Sequence, residues 1–514
     1  MRVLPDPTVH PLDHLALRGA AAAPALVLKQ GTLSYEALNH RVGQIAAWLS
    51  GMAGEAGTRV ATWLPKGELT CLLPLAAVRA GLVHVPINPL LRRAQVAHIL
   101  ADSGAALLIA NTARLETLAP GDAAQARVID ESAALQACDG YLPLKASNAA
   151  ADALAAILYT SGSTGRPKGV MLTVANLWLG AASVAHYLKL SPEDRVLAVL
   201  PLAFDYGQNQ LLSTWHAGGA VVPLDYMTPR DVMKAVERHA ITTIAAVPPL
   251  WLQLTALDWP ARVAANLRRL TNSGGALTER LVRTLRGAFP AAELYPMYGL
   301  TEAFRSTYLD PALVDAHPTS MGRAIPFAEI VVVNDEGDLA APDEEGELVH
   351  AGPLVAQGYW RDPERTAERF RPAPAFCEYG GMAVWSGDRV RRDVAGLLHF
   401  VGRRDAMIKT LGNRVSPQEV EDAAVATGLV AEAVALGLPD AALGQAIHLV
   451  VRGGEGEAEE ASENLRRALL RDVPGFMVPK AIHWREVLPL SPNGKLDRNL
   501  IYQELSSAVA SAAA

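Results

Sequence analysis

Three cysteines in 514 residues, Cys71, Cys138 and Cys377, are too few for a disulfide framework and show no metal-ligand spacing. A reducing compartment, and so a cytoplasmic location, is expected. The 13 histidines are scattered without paired ligand spacing, which argues against a metallohydrolase. Basic runs are missing too: 46 Lys and Arg stand against 53 Asp and Glu, for a formal net charge of −7. With no basic stripe to follow a phosphate backbone, nucleic acid is not an expected partner. No apolar stretch reaches the roughly 18 residues that a membrane helix needs. The first residues carry Asp6, Pro5, Pro7 and Pro11 without a sustained apolar run, so no signal peptide is expected. The closing Ser506 to Ala514 is of low complexity and reads as a frayed tail. Internal repeats are not evident.

What is present is enough for sizeable cores: half of the residues are hydrophobic and 19% are charged, which excludes a disordered or fibrous chain. At about 150 residues per domain, the length suggests roughly three cores, or one large module and a smaller one. From Leu33 to about Trp360, short apolar runs alternate with helical periodicity. Leu38, Val42, Ile45 and Leu49 predict a helix, and the runs Val60–Leu64, Val83–Ile87, Ala106–Ala110, Ala153–Tyr159, Val196–Leu200 and Thr243–Val247 predict strands. Strands separated by helices imply an α/β fold, with parallel sheets covered by helices and ligands at the carboxyl ends of strands. After Val401 the pattern restarts: a helix near Pro417–Thr427, strands near Val434–Leu438 and Ile447–Val451, and a helix around Glu463–Arg471. The expected division is a large domain, residues 1–402, a small mobile α+β domain, residues 403–505, and a tail, residues 506–514.

The strongest local signal is Tyr159-Thr160-Ser161-Gly162-Ser163-Thr164-Gly165-Arg166-Pro167-Lys168-Gly169, between an apolar strand and a helical stretch starting near Val174. Its glycines and hydroxyls present N–H and O–H donors to phosphate oxygens, and Arg166 and Lys168 add positive charge. It is not the Walker A loop, because Lys168 follows Pro167 and precedes Gly169. Further along stand Asn272-Ser273-Gly274-Gly275-Ala276, Tyr298-Gly299-Leu300-Thr301-Glu302, Ser386-Gly387-Asp388, Gly402-Arg403 with Asp405, and Leu490-Ser491-Pro492-Asn493-Gly494-Lys495. Each alone also reads as an ordinary turn or helix start. Together and in this order, over nearly the full chain, they resemble the signature motifs of the adenylate-forming superfamily: acyl-CoA synthetases, adenylation domains of nonribosomal peptide synthetases, and luciferases.

The resemblance implies roles residue by residue. The loop Ser161, Gly162, Ser163, Thr164, Gly165 and Lys168 would hold the phosphates of ATP, with Thr160 contributing a hydroxyl. Gly274, Gly275 and Ala276 would lie between nucleotide and acyl group, where glycine suits close approach. Tyr298 would pack on adenine, Gly299 would belong to the same nucleotide site, Thr301 would reach the α-phosphate, and Glu302 would help to hold Mg²⁺. Asp388 would accept hydrogen bonds from both ribose hydroxyls, Arg403 would contact ribose or phosphate, Asp405 would be the hinge of the small domain, and Lys495 would serve the transferring phosphoryl group. The implied reaction is attack of a substrate carboxylate on the α-phosphorus of ATP, giving an acyl-adenylate and pyrophosphate. Transfer to a thiol follows, with coenzyme A as the expected acceptor and a carrier-protein phosphopantetheine as the other. No protein nucleophile is needed; the step rests on positioning and charge stabilisation.

For the acid itself, Phe204-Asp205-Tyr206-Gly207 resembles the segment of amino-acid-activating domains in which the aspartate pairs with the α-amino group. Asp205 is equally readable as a solvated turn or helix-cap residue. Phe204, Asp205, Gly207, Ser273 and Phe304 are the candidate substrate pocket, and Pro248, Pro249, Leu250 and Trp251 are candidate walls. Met407-Ile408-Lys409 and Val415-Ser416-Pro417 lean toward acyl-CoA ligases, Asn493-Gly494-Lys495 toward amino-acid activators. Taken whole, the chain most resembles the AMP-dependent acyl-CoA ligases associated with exosortase systems. A stand-alone amino-acid adenylating enzyme that loads a separate acyl-carrier or peptidyl-carrier protein is the alternative, and a non-catalytic adenylate-binding homologue is disfavoured by the intact motifs.

Overall fold

The structure, a computed structural model, describes residues 4–160, 167–403, 406–410, 413–440, 443–453 and 458–513. The predicted helix is Tyr35–Ala53: Ser34 caps it by accepting from the Ala37 N–H at 3.2 Å, and its Leu38, Val42, Ile45 and Leu49 are all buried. It packs against the helix Glu68–Arg79, which contacts Val83–Pro86 and Leu154–Thr160 of a six-stranded sheet in the order Arg127–Asp130, Leu107–Ala110, Arg59–Trp63, Val83–Pro86, Leu154–Thr160 and Lys168–Thr173; the last two pair antiparallel and the rest are parallel. In Leu107–Ala110 every residue is buried, which is why this strand reads as a continuous apolar run rather than an alternating one; Val83–Pro86 is equally buried, with His84 inside it.

A second sheet begins with Gly31–Ser34 and then runs parallel through Pro24–Leu28, Ala220–Pro223, Arg195–Ala198, Thr243–Ala246, Arg269–Asn272 and Glu293–Tyr298. It continues antiparallel through Thr307–Tyr308, Ser320–Ala324, Leu398–Arg403, Met382–Arg392, Glu345–Ala351 and Glu329–Val333. From Arg195–Ala198 the chain passes to Ala220–Pro223 on one side and then to Thr243–Ala246 on the other. That reversal opens a crevice at the carboxyl ends of the strands, the place where open α/β sheets bind ligands.

The C-terminal residues form their own sheet, Asn413–Val415, Ile408–Thr410, Gly444–Arg452 and Glu432–Asp440, with Ala481–Arg485 beside Gly444–Arg452. The helices Pro417–Ala426 and Ala458–Asp472 accompany it. The last helix, Arg498–Ala513, continues through the segment that low complexity reads as a frayed tail. Alanine and serine suffice there because alanine is the best helix former, and Ile501 and Leu505 anchor the preceding turns in a small core with Val434, Leu438, Val450 and Leu488.

Candidate active site

Four loops converge on the crevice, each leaving the carboxyl end of a parallel strand. The one after Arg195–Ala198 leads to Phe204 and to the helix Asp205–His216. Val247 and Pro248 follow Thr243–Ala246, Ser273 to Ala276 follow Arg269–Asn272, and Gly299 to Glu302 follow Glu293–Tyr298. The other sheet adds the hairpin between Leu154–Thr160 and Lys168–Thr173, in which Thr160 and Lys168 are cross-strand partners. Ser161, Gly162, Ser163, Thr164, Gly165 and Arg166 of that loop lie outside the described residues, as does Asp405. Thr160 Oγ1 is buried and has no partner among the described residues.

Lys168 and Glu302 meet over 134 residues of sequence: Lys168 Nζ donates to Glu302 Oε1 at 3.1 Å and to the Tyr359 hydroxyl at 2.7 Å, and that hydroxyl donates to the same Oε1 at 2.6 Å. The ammonium also lies 4.1 Å from the centre of the Tyr359 ring. Burial works against both charges. For Lys168 burial prevails and the ammonium falls below its ordinary range; for Glu302 the Lys168 charge and the Tyr359 hydroxyl outweigh burial and keep the carboxyl below its ordinary range. Sequence reading missed Tyr359. Its place comes from strand addition: Val170 bridges Tyr359, Met171 N–H donates to Gly358 O, and Trp360 N–H donates to Gly169 O.

The nucleoside-side candidates also come together. The Tyr298 hydroxyl donates to Asp388 Oδ2, and Arg403 Nε lies 3.6 Å from Asp388 Oδ1, because Asp388 and Arg403 are opposite one another in adjacent strands. Thr301 and Glu302 start a short 3-10 helix and are 8% and 6% exposed.

Lys495 arrives from the C-terminal part of the chain. Its Nζ stands 4.8 Å from the centre of the Phe204 ring. Gly274, at φ +80°, leaves it room: a Cβ there would sit 2.6 Å from Lys495 Cε. Burial pushes the ammonium below its ordinary range, Arg305 and Arg403 add to that, and Asp205 opposes it. Asp205 is the first residue of its helix and is 4% exposed, so it is not in a solvated turn. Burial pushes its carboxyl up, against the pull of Arg305 and Lys495, and Oδ1 has no hydrogen-bond partner among the described residues.

Behind Asp205 lies Arg305, 1% exposed and assigned no role from sequence. Its Nη1 donates to Ser273 Oγ at 2.9 Å, and its guanidinium stacks on Tyr206 at 4.6 Å, whose hydroxyl is 2.6 Å from Thr271 Oγ1. Arg305, Tyr206 and Thr271, with Asn209 and Met297, line a cavity of about 20 Å³, room for about one water. Two other pocket candidates are placed elsewhere. The Phe304 ring packs onto the helix Val174–Tyr187, where a Cβ on Gly180 would meet it at 2.3 Å, and Gly207 lets its helix press on Pro201, whose carbonyl oxygen would be 1.9 Å from a Cβ. Gly275 faces Pro248, and Ala276 is exposed.

Known proteins place this arrangement in a family. The AMP-binding enzyme family matches residues 13–360, and the AMP-binding enzyme C-terminal domain matches residues 419–495. Feruloyl-CoA synthase of an Amycolatopsis species is 31% identical over 487 residues, covering 93% of this chain and 96% of that protein. L-proline--[L-prolyl-carrier protein] ligase of Pseudomonas fluorescens is 30% identical over 491 residues, 92% of this chain and 94% of that protein. The nonribosomal peptide synthetase CymA of Salinispora arenicola is 33% identical over 490 residues, and there the chain spans only 6% of the relative's length. In fold, the ATP-bound MatB of Rhodopseudomonas palustris superposes with a TM-score of 0.87 at 24% identity, over 97% of this chain and 99% of that one. With both domain matches in sequence order and the motif residues gathered in one crevice, the chain belongs to the AMP-binding enzyme family.

Proposed function

We propose that this protein activates a carboxylic acid with ATP and passes the acyl group to a thiol, coenzyme A first among them. A carboxylate oxygen bonds to the α-phosphorus of ATP as the bond to the bridging oxygen breaks, and pyrophosphate leaves. The thiol sulfur then bonds to the acyl carbon as AMP departs. The observation that carries the reading is Lys495. A desolvated ammonium from the C-terminal part is set against Gly274 and Phe204, in the crevice that also holds Lys168, Thr301 and Glu302. A preorganised cation there stabilises charge that develops on the phosphoryl oxygens, and the closed site excludes water from a reactive anhydride.

In this reading Asp388 and Arg403 orient the ribose, Tyr298 receives the adenine, and Thr160, Thr301 and Lys168 with Ser161 to Gly165 hold phosphate oxygens. Glu302 would hold the Mg²⁺ that accompanies ATP. Mg²⁺ is usually held by one or two carboxylates together with phosphate oxygens and water; a lone buried Glu302 fits this, and no cluster of three His, Cys, Asp or Glu side chains that could hold a metal is found among the described residues. When bound, the ion neutralises phosphate charge. Residues 1–402 act as the large domain and 403–505 as the one that turns about Asp405. Among the described residues no helix is long and apolar enough to cross a membrane, and Cys71, Cys138 and Cys377 are free thiols, in keeping with a cytoplasmic enzyme.

A second reading, amino-acid activation for a carrier protein, is favoured by one feature, the buried Asp205 carboxylate whose Oδ1 has no hydrogen-bond partner among the described residues; a substrate ammonium would supply one. Pyrophosphate release from MgATP, screened over fatty, aromatic and amino acids with and without coenzyme A, tests both. Release with a plain acid and formation of an acyl-CoA support the first; release only with an amino acid, indifferent to coenzyme A, supports the second; no release with any carboxylate refutes both.

A further inference from the structure

Asn88, just beyond the strand Val83–Pro86 of the six-stranded sheet, is 6% exposed and plays no part in the chemistry described above. Its Oδ1 accepts from the Leu90 N–H at 2.9 Å, a local turn that fixes which end of the amide is oxygen. The amino end therefore points outward, and it donates to Pro492 O at 3.0 Å and to Asn493 Oδ1 at 2.8 Å. Both of its hydrogens are thus used, and both go to the C-terminal part of the chain, more than 400 residues away in sequence.

The partners belong to the turn that carries Lys495. Leu490 bridges Leu496, Ser491 N–H donates to Lys495 O at 2.6 Å, and Gly494 N–H donates to Ser491 O at 2.8 Å with Gly494 at φ +76°. Behind it, Asp497 N–H donates to Pro489 O at 2.9 Å, and the Arg498 guanidinium pairs with the buried Glu421 carboxylate. The turn is therefore a stiff unit tied to its own domain at the rear. At its tip it touches the large domain on both arms: Asn88 grips residues 492 and 493, and the Lys495 side chain descends beside Gly274.

We infer that Asn88 is a positioning residue for adenylate formation: it latches the Lys495 turn onto the large domain, so that the lysine is delivered only when both bonds form. The inference rests on the proposed role of Lys495, but its geometry can be tested apart from that role. A desolvated ammonium has no hydration to hold it in place, and a cation that must enter a dry site gains from a register fixed by polar bonds outside that site. Because the latch consists of two hydrogen bonds, it can also release when the domain turns toward thioester formation.

Asn88→Asp is the sharp test. The carboxylate keeps the acceptor for Leu90 N–H, so the local turn survives, but both donors are lost and face two oxygen atoms. Asn493→Ala removes one acceptor without adding charge. With MgATP as the only ligand, labelling of Lys495 by an amine-reactive ester, read by mass spectrometry against the exposed Lys145, reports closure directly. Expected are Lys495 labelling about tenfold faster in Asn88→Asp, a smaller rise in Asn493→Ala, no further rise in the double variant, unchanged Lys145 labelling and an unchanged melting temperature. Adenylation with an acid accepted in the screen should fall about tenfold in kcat with little change in the KM for ATP. Wild-type Lys495 labelling in Asn88→Asp, or strictly additive effects of the two substitutions, overturns the latch. If labelling rises but no acid releases pyrophosphate even in the wild type, the latch stands and the catalytic role of Lys495 falls.

Discussion

Tyr359→Phe isolates one hydroxyl at the junction of two charges. In the structure that hydroxyl donates to Glu302 Oε1 at 2.6 Å and accepts from Lys168 Nζ at 2.7 Å. A hydrogen bond to a buried charge contributes about 1.5–3 kcal/mol. The direct Lys168–Glu302 contact at 3.1 Å and the ammonium over the ring at 4.1 Å both survive the change. The stability loss should therefore fall at the lower end, ~1.5 kcal/mol. Function should suffer more, because the carboxylate that we assign to Mg²⁺ loses the group that orients it. Removal of such a supporting partner typically costs about 10- to 100-fold in metal affinity or activity. The assay is pyrophosphate release against Mg²⁺ concentration at saturating ATP, beside a thermal melt. We expect the half-saturating Mg²⁺ concentration to rise about tenfold with a small drop in melting temperature. An unchanged Mg²⁺ dependence alongside a measurable stability loss would make Tyr359 a structural residue only and refute the reasoning.

Other substitutions probe the remaining parts. Lys495→Ala should slow adenylation by about 10²- to 10³-fold, the usual effect of removing one preorganised donor, while the melting temperature holds or rises because a desolvated ammonium is gone; a wild-type rate of adenylate formation would remove Lys495 from the mechanism. Asp205→Asn should raise the melting temperature at neutral pH. Burial holds the native Asp205 carboxyl above its unfolded value, so its cost appears as pH rises through the native pKa and vanishes in acid. The same variant should keep release with a plain acid, and losing that release would return Asp205 to the chemistry. His84 and His350 are buried, and burial lowers each to about 3. Their native pKa lies below the unfolded value, so stability is fully present above about pH 6.5 and falls by about 1.4 kcal/mol per group for each pH unit below it. Melts between pH 7 and pH 5 should show this slope, and His84→Gln should flatten it by about one proton; an unchanged slope in that variant would show that His84 does not set it.

Periodicity and motif order fixed much of this in one dimension. The apolar spacing of Leu38, Val42, Ile45 and Leu49 dictates one buried helical face, and fully apolar four-residue runs such as Leu107–Ala110 suit strands covered on both sides. The loop that we propose holds phosphate, the Tyr298 to Glu302 segment and Lys495 are legible because their chemistry is local: glycines, hydroxyls and charges set close together in the chain. Partnerships across the fold leave no such trace. Tyr359 reaches Glu302 because its segment adds to the strand Lys168–Thr173, and Asn88 reaches the Lys495 turn over a sequence separation of 405 residues. Phe304 and Arg305 are neighbours in sequence, yet a left-handed backbone at Phe304, φ +58°, turns its ring onto Gly180 while Arg305 enters the pocket. Sequence determined which elements form and which residues can carry charge to phosphate; packing decided which of those charges are paired, which are desolvated and what holds each in place.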